Sequence, residues 1–369
     1  MNFRLGELFC GPGGMALGAL NASKKFQQIY NQYFQISHAW ANDIDYSTCQ
    51  TYIKNITPSD PSHVYCHDVR TLDIHGLPQI DGFAFGFPCN DFSLVGERKG
   101  LNGGFGPLYT YGKKVLDIHK PQWFVAENVS GLLASEKGKT LQLILSELAQ
   151  AGPGYRLTVH RYHFEDYGVP QRRHRIIIVG IKKGLNFTFR IPKPTHYKNH
   201  ITVQQALSNI PITAPNQEYT KQSSQVINRL KYIRPGENAW TAEIPFEFKL
   251  KVKGAHLSQI YKRLERDKPA YTITGSGGGG THVYHWEEPR ALTNRERARL
   301  QTFPDCFEFI GNKESVRKQI GMAVPPLGAE VIFYALLQTF AGIDYDHIEA
   351  NLPAMWQGFN FALDSSTKL

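Results

Sequence analysis

The amino-acid sequence predicts an α/β protein with a mostly parallel sheet and a second, small loop-rich domain. Three observations carry that prediction. Over roughly the first 180 residues, short apolar runs alternate with amphipathic segments, the rhythm of strand–helix–strand units in a Rossmann-like layer structure. From about Gly184 the rhythm fades, and Pro192, Pro194, Pro211, Pro215, Pro235 and Pro245 interrupt the chain. The 369 residues are 41% hydrophobic and 20% charged, which supports a sizeable core and excludes global disorder or a coiled coil.

Taken in order, strands are expected at Arg4–Cys10, Ser37–Asn42, Val64–Cys66, Gly82–Gly86, Trp123–Glu127, Arg156–Tyr162 and Arg175–Ile181. Helices are expected at Tyr46–Asn55, Leu108–His119 and Lys139–Ala151, and a helix-compatible run follows Gly14. Residues 190–289 read as the separate small domain, closing on the flexible Gly275-Ser276-Gly277-Gly278-Gly279-Gly280; an irregular insertion with no role of its own is the alternative. Helical patterning returns at Thr293–Gln301 and at Val324–Phe340, whose apolar face packs back on the first domain. The larger domain is thus expected to combine 1–189 with 315–369, with 290–314 as a connecting hinge.

Lys and Arg number 41 against 32 Asp and Glu, a net charge of +9 that favours a polyanionic partner without establishing one. The five cysteines are odd in number and include no CxxC pair, so neither a disulfide framework nor a metal site is indicated. Met1-Asn2-Phe3-Arg4 leads straight into a strand-like run with no leader-like pattern, and no apolar stretch approaches the ~18–20 residues of a membrane span. A cytoplasmic protein without membrane attachment is expected.

Candidate chemistry gathers at the ends of the expected strands. Leu8-Phe9-Cys10-Gly11-Pro12-Gly13-Gly14 forms a glycine turn between strand and helix, where backbone can approach a ligand at the carboxyl edge of the sheet. It does not read GxGxxG, which argues against a dinucleotide and so against a nicotinamide oxidoreductase. Asp43 ends the second strand, where a carboxylate can accept ribose hydroxyls, and Asp68 ends the third, within reach of an adenine amine. Strand-end aspartates also serve as helix caps, but three such features in order point to an adenosine cofactor without a pyrophosphate. Cys10, Cys49, Cys66 and Cys306 read as small buried hydrophobes. Cys89 differs, since it follows Pro88 at the mouth of the crevice and precedes the glycine-rich run Gly96–Gly106. Glu127-Asn128-Val129 puts a carboxyl on the same edge, and Gln171-Arg172-Arg173-His174-Arg175 brings guanidinium groups to the start of a later strand. That run is either a solvated basic turn or the cation of a nucleophile–acid–cation site.

In order, Phe9-Cys10-Gly11-Pro12-Gly13, Asp43, Asp68, Pro88-Cys89, Glu127-Asn128-Val129, Gln171–Arg175, Arg290–Thr293, Arg295–Gln301 and Gly321-Met322-Ala323-Val324-Pro325 resemble the motifs of the DNA (cytosine-5)-methyltransferases of bacterial restriction–modification systems. The resemblance spans nearly the whole chain. It implies a Rossmann-like S-adenosyl-L-methionine-dependent methyltransferase domain and a target-recognition domain at 190–289. The implied reaction swings a cytosine out of double-stranded DNA, with Cys89 attacking C6, Glu127 on N3 and the exocyclic amine, and Arg175 on O2 while orienting Glu127. Arg173 is implied to brace the pocket or a phosphate.

By the same resemblance, the cofactor residues are Phe9, Gly11, Gly13, Gly14, Asp43, Ile44, Asp68, Val69, Pro88, Leu108, Ala323 and Val324. The DNA contacts are Ser93, Gln171, Arg173, Thr272 and Gln259, with Arg229, Lys231, Arg234 and Asn238 as further base-reading candidates. A monomer acting beside a separate cognate endonuclease is implied. Two departures stand out: Met322 occupies the place of the family's usual Asn, and Gly103-Gly104-Phe105-Gly106 replaces the usual Asp-X-Arg-Gly at the end of the lid. Two alternatives remain: a tRNA-modifying relative, whose Cys-Phe-Thr signature is missing between 184 and 290, and a non-catalytic DNA-binding relative, which intact Cys89, Glu127 and Arg175 speak against.

Overall fold

The computed structural model describes residues 1–87, 108–250, 257–275 and 279–353. Its centre is a seven-stranded sheet built from β1 (Asn2–Leu8), β2 (Gln35–Asp43), β3 (Val64–Cys66), β4 (Gly82–Gly86), β5 (Trp123–Val129), β6 (Tyr155–His163) and β7 (His174–Lys182). The spatial order is β3-β2-β1-β4-β5-β7-β6. β1 to β5 pair in parallel, whereas β7 runs antiparallel to both β5 and β6. The chain reverses its direction across the sheet between β1 and β4, and the crevice beyond the strand ends at such a switch point is the usual ligand site of an open α/β sheet.

Central strands are apolar along their whole length because helices cover both faces. Phe83, Ala84 and Phe85 of β4, and Phe124, Val125 and Ala126 of β5, are all buried. On one face, α1 (Gly14–Tyr30) contributes Met15, Ala19, Ala22 and Phe26 to a core completed by α9 (Pro326–Ala341). On the other, α3 (Tyr109–His119) and α4 (Lys139–Gln150) bury Val115, Leu116, Leu141, Ile144 and Leu148. α2 (Tyr46–Ile56) is started by Asp45, whose carboxylate accepts from the Thr48 amide.

The expected strands and the helices after β2 and before β5 and β6 fall within two residues of those observed. Three helices were not anticipated: α5 (Val203–Leu207), α6 (Ser224–Lys231) and α8 (Lys313–Met322). They are short, and tertiary packing rather than a long apolar stripe holds them. The expectation of no long apolar stretch also needs correcting. The stretch Lys313–Ala341 holds an 18-residue window apolar enough to cross a membrane, but 72% of it is buried in the protein. Much of that window is α9, a core helix packed on α1.

From Gly184 onward the chain is mostly turns, as its prolines require. β8 (Ile191–Pro192) pairs only with β9 (His347–Ile348), and Phe189 and Ile191 still belong to the sheet core. Two further clusters lie beyond: one with Val203, Leu264, Ile273, Val283, Leu292 and Leu300, the other with Leu230, Ile233, Ile244, Tyr261 and Tyr284. The 290–314 segment, expected as a hinge, carries α7 (Asn294–Leu300) and a cluster of Phe303, Phe307 and Phe309 that packs against Leu17 and Ile56.

Few carbonyls in this region have a ladder partner, and buried arginines serve instead. Arg263 donates to the carbonyls of His285, Leu230 and Ile233. Arg295 donates to those of Pro215, Pro304 and Phe307. The basic residues of this segment are therefore not all surface charge.

Beneath the switch point, β1 buries Glu7 completely, with the Tyr52 hydroxyl donating to Oε2 and Oε1 left without a partner. Burial pushes this carboxyl up to about 7, and the Tyr52 hydrogen bond only partly opposes it. The folded state therefore holds a proton that the unfolded chain releases above about pH 4.5, so Glu7's contribution falls as pH rises from there through 7. Glu7→Gln is expected to match wild type in urea unfolding at pH 4.5 and to exceed it at pH 8, by on the order of 1–3 kcal/mol. An equal difference at both pH values refutes this.

Candidate active site

The glycine turn after β1 is held open by Asp43. The Gly11 amide donates to Asp43 Oδ2 at 3.0 Å, and the Asp45 amide to Oδ1 at 3.0 Å. Each oxygen keeps acceptor capacity for a hydroxyl. Burial raises the Asp43 pKa above its usual value, and those two amides oppose the shift. Phe9 has φ 54°, a left-handed conformation uncommon outside glycine, so the turn is over-determined by its surroundings. Among the described residues, a methyl group added at Gly11 would meet nothing within 4 Å. Ile44 is 67% exposed beside it, an apolar side chain free to lie against a flat ring.

The other expected cofactor residues divide. Val69, Ala323 and Val324 are buried, and Val324 presents its carbonyl to Gly14, which together with Gly13 serves packing. Leu108 is half-buried immediately before α3. Asp68 caps a short 3-10 turn at Val69–Thr71, and its carboxylate is held bidentate by Arg70. An adenine amine would compete with that pair.

At the far side of the crevice the reversal of β7 matters most. Because β7 is antiparallel to β5, its first residues lie beside the last residues of β5, with Arg175 opposite Val129. Arg175 Nε thereby reaches Glu127 Oε1 at 2.7 Å, and Arg175 Nη1 donates to the His174 carbonyl at 2.8 Å. Both side chains are about nine-tenths covered, yet they border the strand ends. Gly86 lies opposite Glu127 in β4, and a Cβ there would come within 3.3 Å of Glu127 Oε2. Gly86 was not anticipated as a site residue, although its position at the end of a strand facing a carboxylate was a usable signal.

Arg173, two residues earlier, points the other way. It is 1% exposed and donates to the carbonyls of Ile273 (3.0 Å), Gly321 (2.9 Å) and Ala323 (2.8 Å). Burial pulls its pKa well below the usual arginine value; the Arg175 cation adds to this and the Glu127 carboxylate opposes it. Arg173 braces the site, and the alternative of a DNA phosphate contact is corrected because the side chain is buried with Nη1 and Nη2 on main-chain carbonyls. Gln171 is corrected likewise: fully buried, it donates to Leu300 and Gln301 and accepts from the Ile273 amide.

Thr272 is half-buried and donates to the Arg172 carbonyl at 2.6 Å. Arg229 is buried over the Tyr261 ring with Nε on the Phe248 carbonyl, and Asn238 holds its own loop through Trp240, Thr241 and Ser258. Neither is free to read a base, whereas Lys231, Arg234 and Gln259 are exposed. Met322 is 58% exposed at the end of α8, against Gly275. The carbonyls on either side of it are bound by Arg173, so the missing Asn amide leaves that turn anchored. Pro88, Cys89, Ser93 and Gly103–Gly106 lie outside the described residues.

A sheet of this order, with one reversed strand, is a Rossmann-like α/β fold, and the Glu127–Arg175 pair borders its strand ends. The sequence model for the C-5 cytosine-specific DNA methylases matches residues 3–338. The chain is 58% identical to the Type II methyltransferase M.BbvI of Brevibacillus brevis over 95% of each protein. It is 38% identical to the Type II methyltransferase M.NgoFVII of Neisseria gonorrhoeae, over 93% of this chain and 88% of that one. A solved DNA modification methyltransferase encoded within a prophage (E. coli) shares the fold, with a TM-score of 0.69 at 22% identity over 92% and 99% of the two chains. The chain belongs to the C-5 cytosine-specific DNA methylase family and is a DNA (cytosine-5-)-methyltransferase of the Type II restriction–modification kind.

Arg173→Ala strands three buried carbonyls, and is expected to cost on the order of 3–5 kcal/mol in urea unfolding. Arg175→Ala, at the crevice border, is expected to cost less than half of that. Equal losses for the two variants contradict the division between brace and site.

Proposed function

We propose that the chain methylates C5 of a flipped-out cytosine within a specific sequence of double-stranded DNA, with S-adenosyl-L-methionine as donor. The observation that carries this is the Glu127–Arg175 ion pair at the end of β5, on the same edge of the sheet as the turn at Gly11 that follows β1. Phe9, Gly11, Asp43 and Ile44 suit an adenosine-bearing cofactor: a carboxylate with spare acceptor capacity, a glycine whose added methyl would meet no described residue within 4 Å, and an exposed apolar face. Bound there, the cofactor supplies an electrophilic methyl group.

The chain's own residues do the rest. Cys89 attacks C6 as thiolate, which makes C5 nucleophilic, and its later departure follows loss of the C5 proton. Glu127 hydrogen-bonds N3 and the exocyclic amine, so that charge entering the ring is drained as it develops. Arg175 binds O2 and fixes the Glu127 carboxylate. Arg173 keeps this strand edge and the turn at Gly321–Ala323 in register with residue 273. Residues 190–289 act as the target-recognition domain: Lys231 and Arg234 neutralise phosphates, Gln259 is available to a base edge, and Ser93 and Thr272 contact the backbone. The enzyme works as a monomer in the bacterial cytoplasm, and a separate endonuclease cuts the same sequence.

Bisulfite sequencing of plasmid from cells expressing the protein is expected to show one protected sequence motif, and Cys89→Ser to show none. Duplex carrying 5-fluorocytosine in that motif should form a denaturation-resistant adduct with wild type only. An equal adduct with Cys89→Ser would falsify the nucleophile assignment.

A further inference from the structure

Away from the catalytic edge, strand register assembles a second cluster. β6 and β7 pair so that His163 faces His174, with rings inclined by 12° and centroids 3.9 Å apart. The turn Phe164–Tyr167 then brings Glu165 back, its Oε1 2.8 Å from His174 Nε2. One donor atom from each of the three residues lies within 4.8 Å of the others. Glu165 is only 6% exposed and its Oε2 has no hydrogen-bond partner among the described residues, which costs ~1–3 kcal/mol in a buried position.

We propose that His163, Glu165 and His174 bind a divalent transition-metal ion of the zinc class. Two imidazoles and a carboxylate are the mixed N/O set that such ions take, with the fourth position left to water. Tetrahedral bonds of ~2.0–2.1 Å put neighbouring ligand atoms about 3.4 Å apart, so side-chain rotation closes the cluster while the strand register stays intact. Arg161 Nη2 lies 3.3 Å from His174 Nδ1, which makes Nδ1 the acceptor and Nε2 the proton carrier in the metal-free protein. On binding, the Nε2 proton is lost, Nδ1 takes one up and the Arg161 contact breaks, with no net proton released. The ion takes the place of the Nε2 proton as the partner of the Glu165 carboxylate.

The place of the ion has a consequence for the strand. The His174 carbonyl accepts from Arg175, so an ion on the His174 ring stiffens the backbone that carries the partner of Glu127. The Arg161 guanidinium opposes the ion electrostatically, which gives the site a charge neighbour that can be removed while all three ligands are kept.

Co²⁺, added as the only metal to chelator-treated full-length protein, tests this by its visible absorption. The wild type is expected to show ligand-field bands that saturate at one equivalent, without the strong near-ultraviolet band of a thiolate ligand. His163→Asn and Glu165→Gln, checked for wild-type thermal unfolding in the absence of metal, are expected to lose those bands. Arg161→Gln is expected to bind at least roughly threefold more tightly. Absence of bands in wild type, their persistence in both ligand variants, or an unchanged affinity in Arg161→Gln overturns the proposal.

Discussion

A backbone that folds into turns must find partners for its carbonyls, and here buried guanidinium groups provide them. Regular strands and helices satisfy their own polar groups; proline-broken chain does not. A planar group with five N–H donors reaches several carbonyls at once. Arg173 and Arg295 each do this to three carbonyls and Arg263 to four, in every case from more than one stretch of chain. No carboxylate hydrogen-bonds to Arg173, so carbonyl dipoles stand in for the water its charge has lost.

Arg173 is the staple that reaches the site. It grows from the first turn of chain before β7, and its three carbonyls belong to residue 273 and to the two sides of Met322. Close approach there requires glycine: a Cβ at Gly321 would lie 2.1 Å from the Gly275 amide nitrogen. Arg173 turns inward from the residue just before β7, outside the strand's regular alternation, while Arg175, within β7, turns to Glu127. Packing and chemistry thus share one short run, Gln171–Arg175, in which buried and crevice-facing side chains are interleaved.

That interleaving explains what could be read from the sequence and what could not. β4 and β5 were legible from their buried apolar runs Phe83–Phe85 and Phe124–Ala126, and Asp43 and Glu127 because each follows an apolar run at the carboxyl end of its strand. The direction of β7 was not legible: an apolar run looks the same in either sense, yet only the antiparallel sense sets Arg175 beside Glu127. Gln171 and Arg229 were read as DNA-facing, and Arg173 as either a brace or a phosphate contact, because a polar residue in a sequence carries no label of burial. In a segment with few ladders, that default misleads, since unsatisfied carbonyls draw donors inward. α5, α6 and α8 escaped notice for a related reason, being too short to print a periodic apolar stripe.

The most direct measurement of the central claim, that β7 delivers a cation to a working carboxylate, is single-turnover methyl transfer by Glu127→Gln with cofactor and DNA saturating. The amide keeps the shape and a hydrogen bond to Arg175 but cannot carry the proton. A fall on the order of 10²–10³ in rate with DNA affinity unchanged is predicted. A rate within a few-fold of wild type contradicts the account.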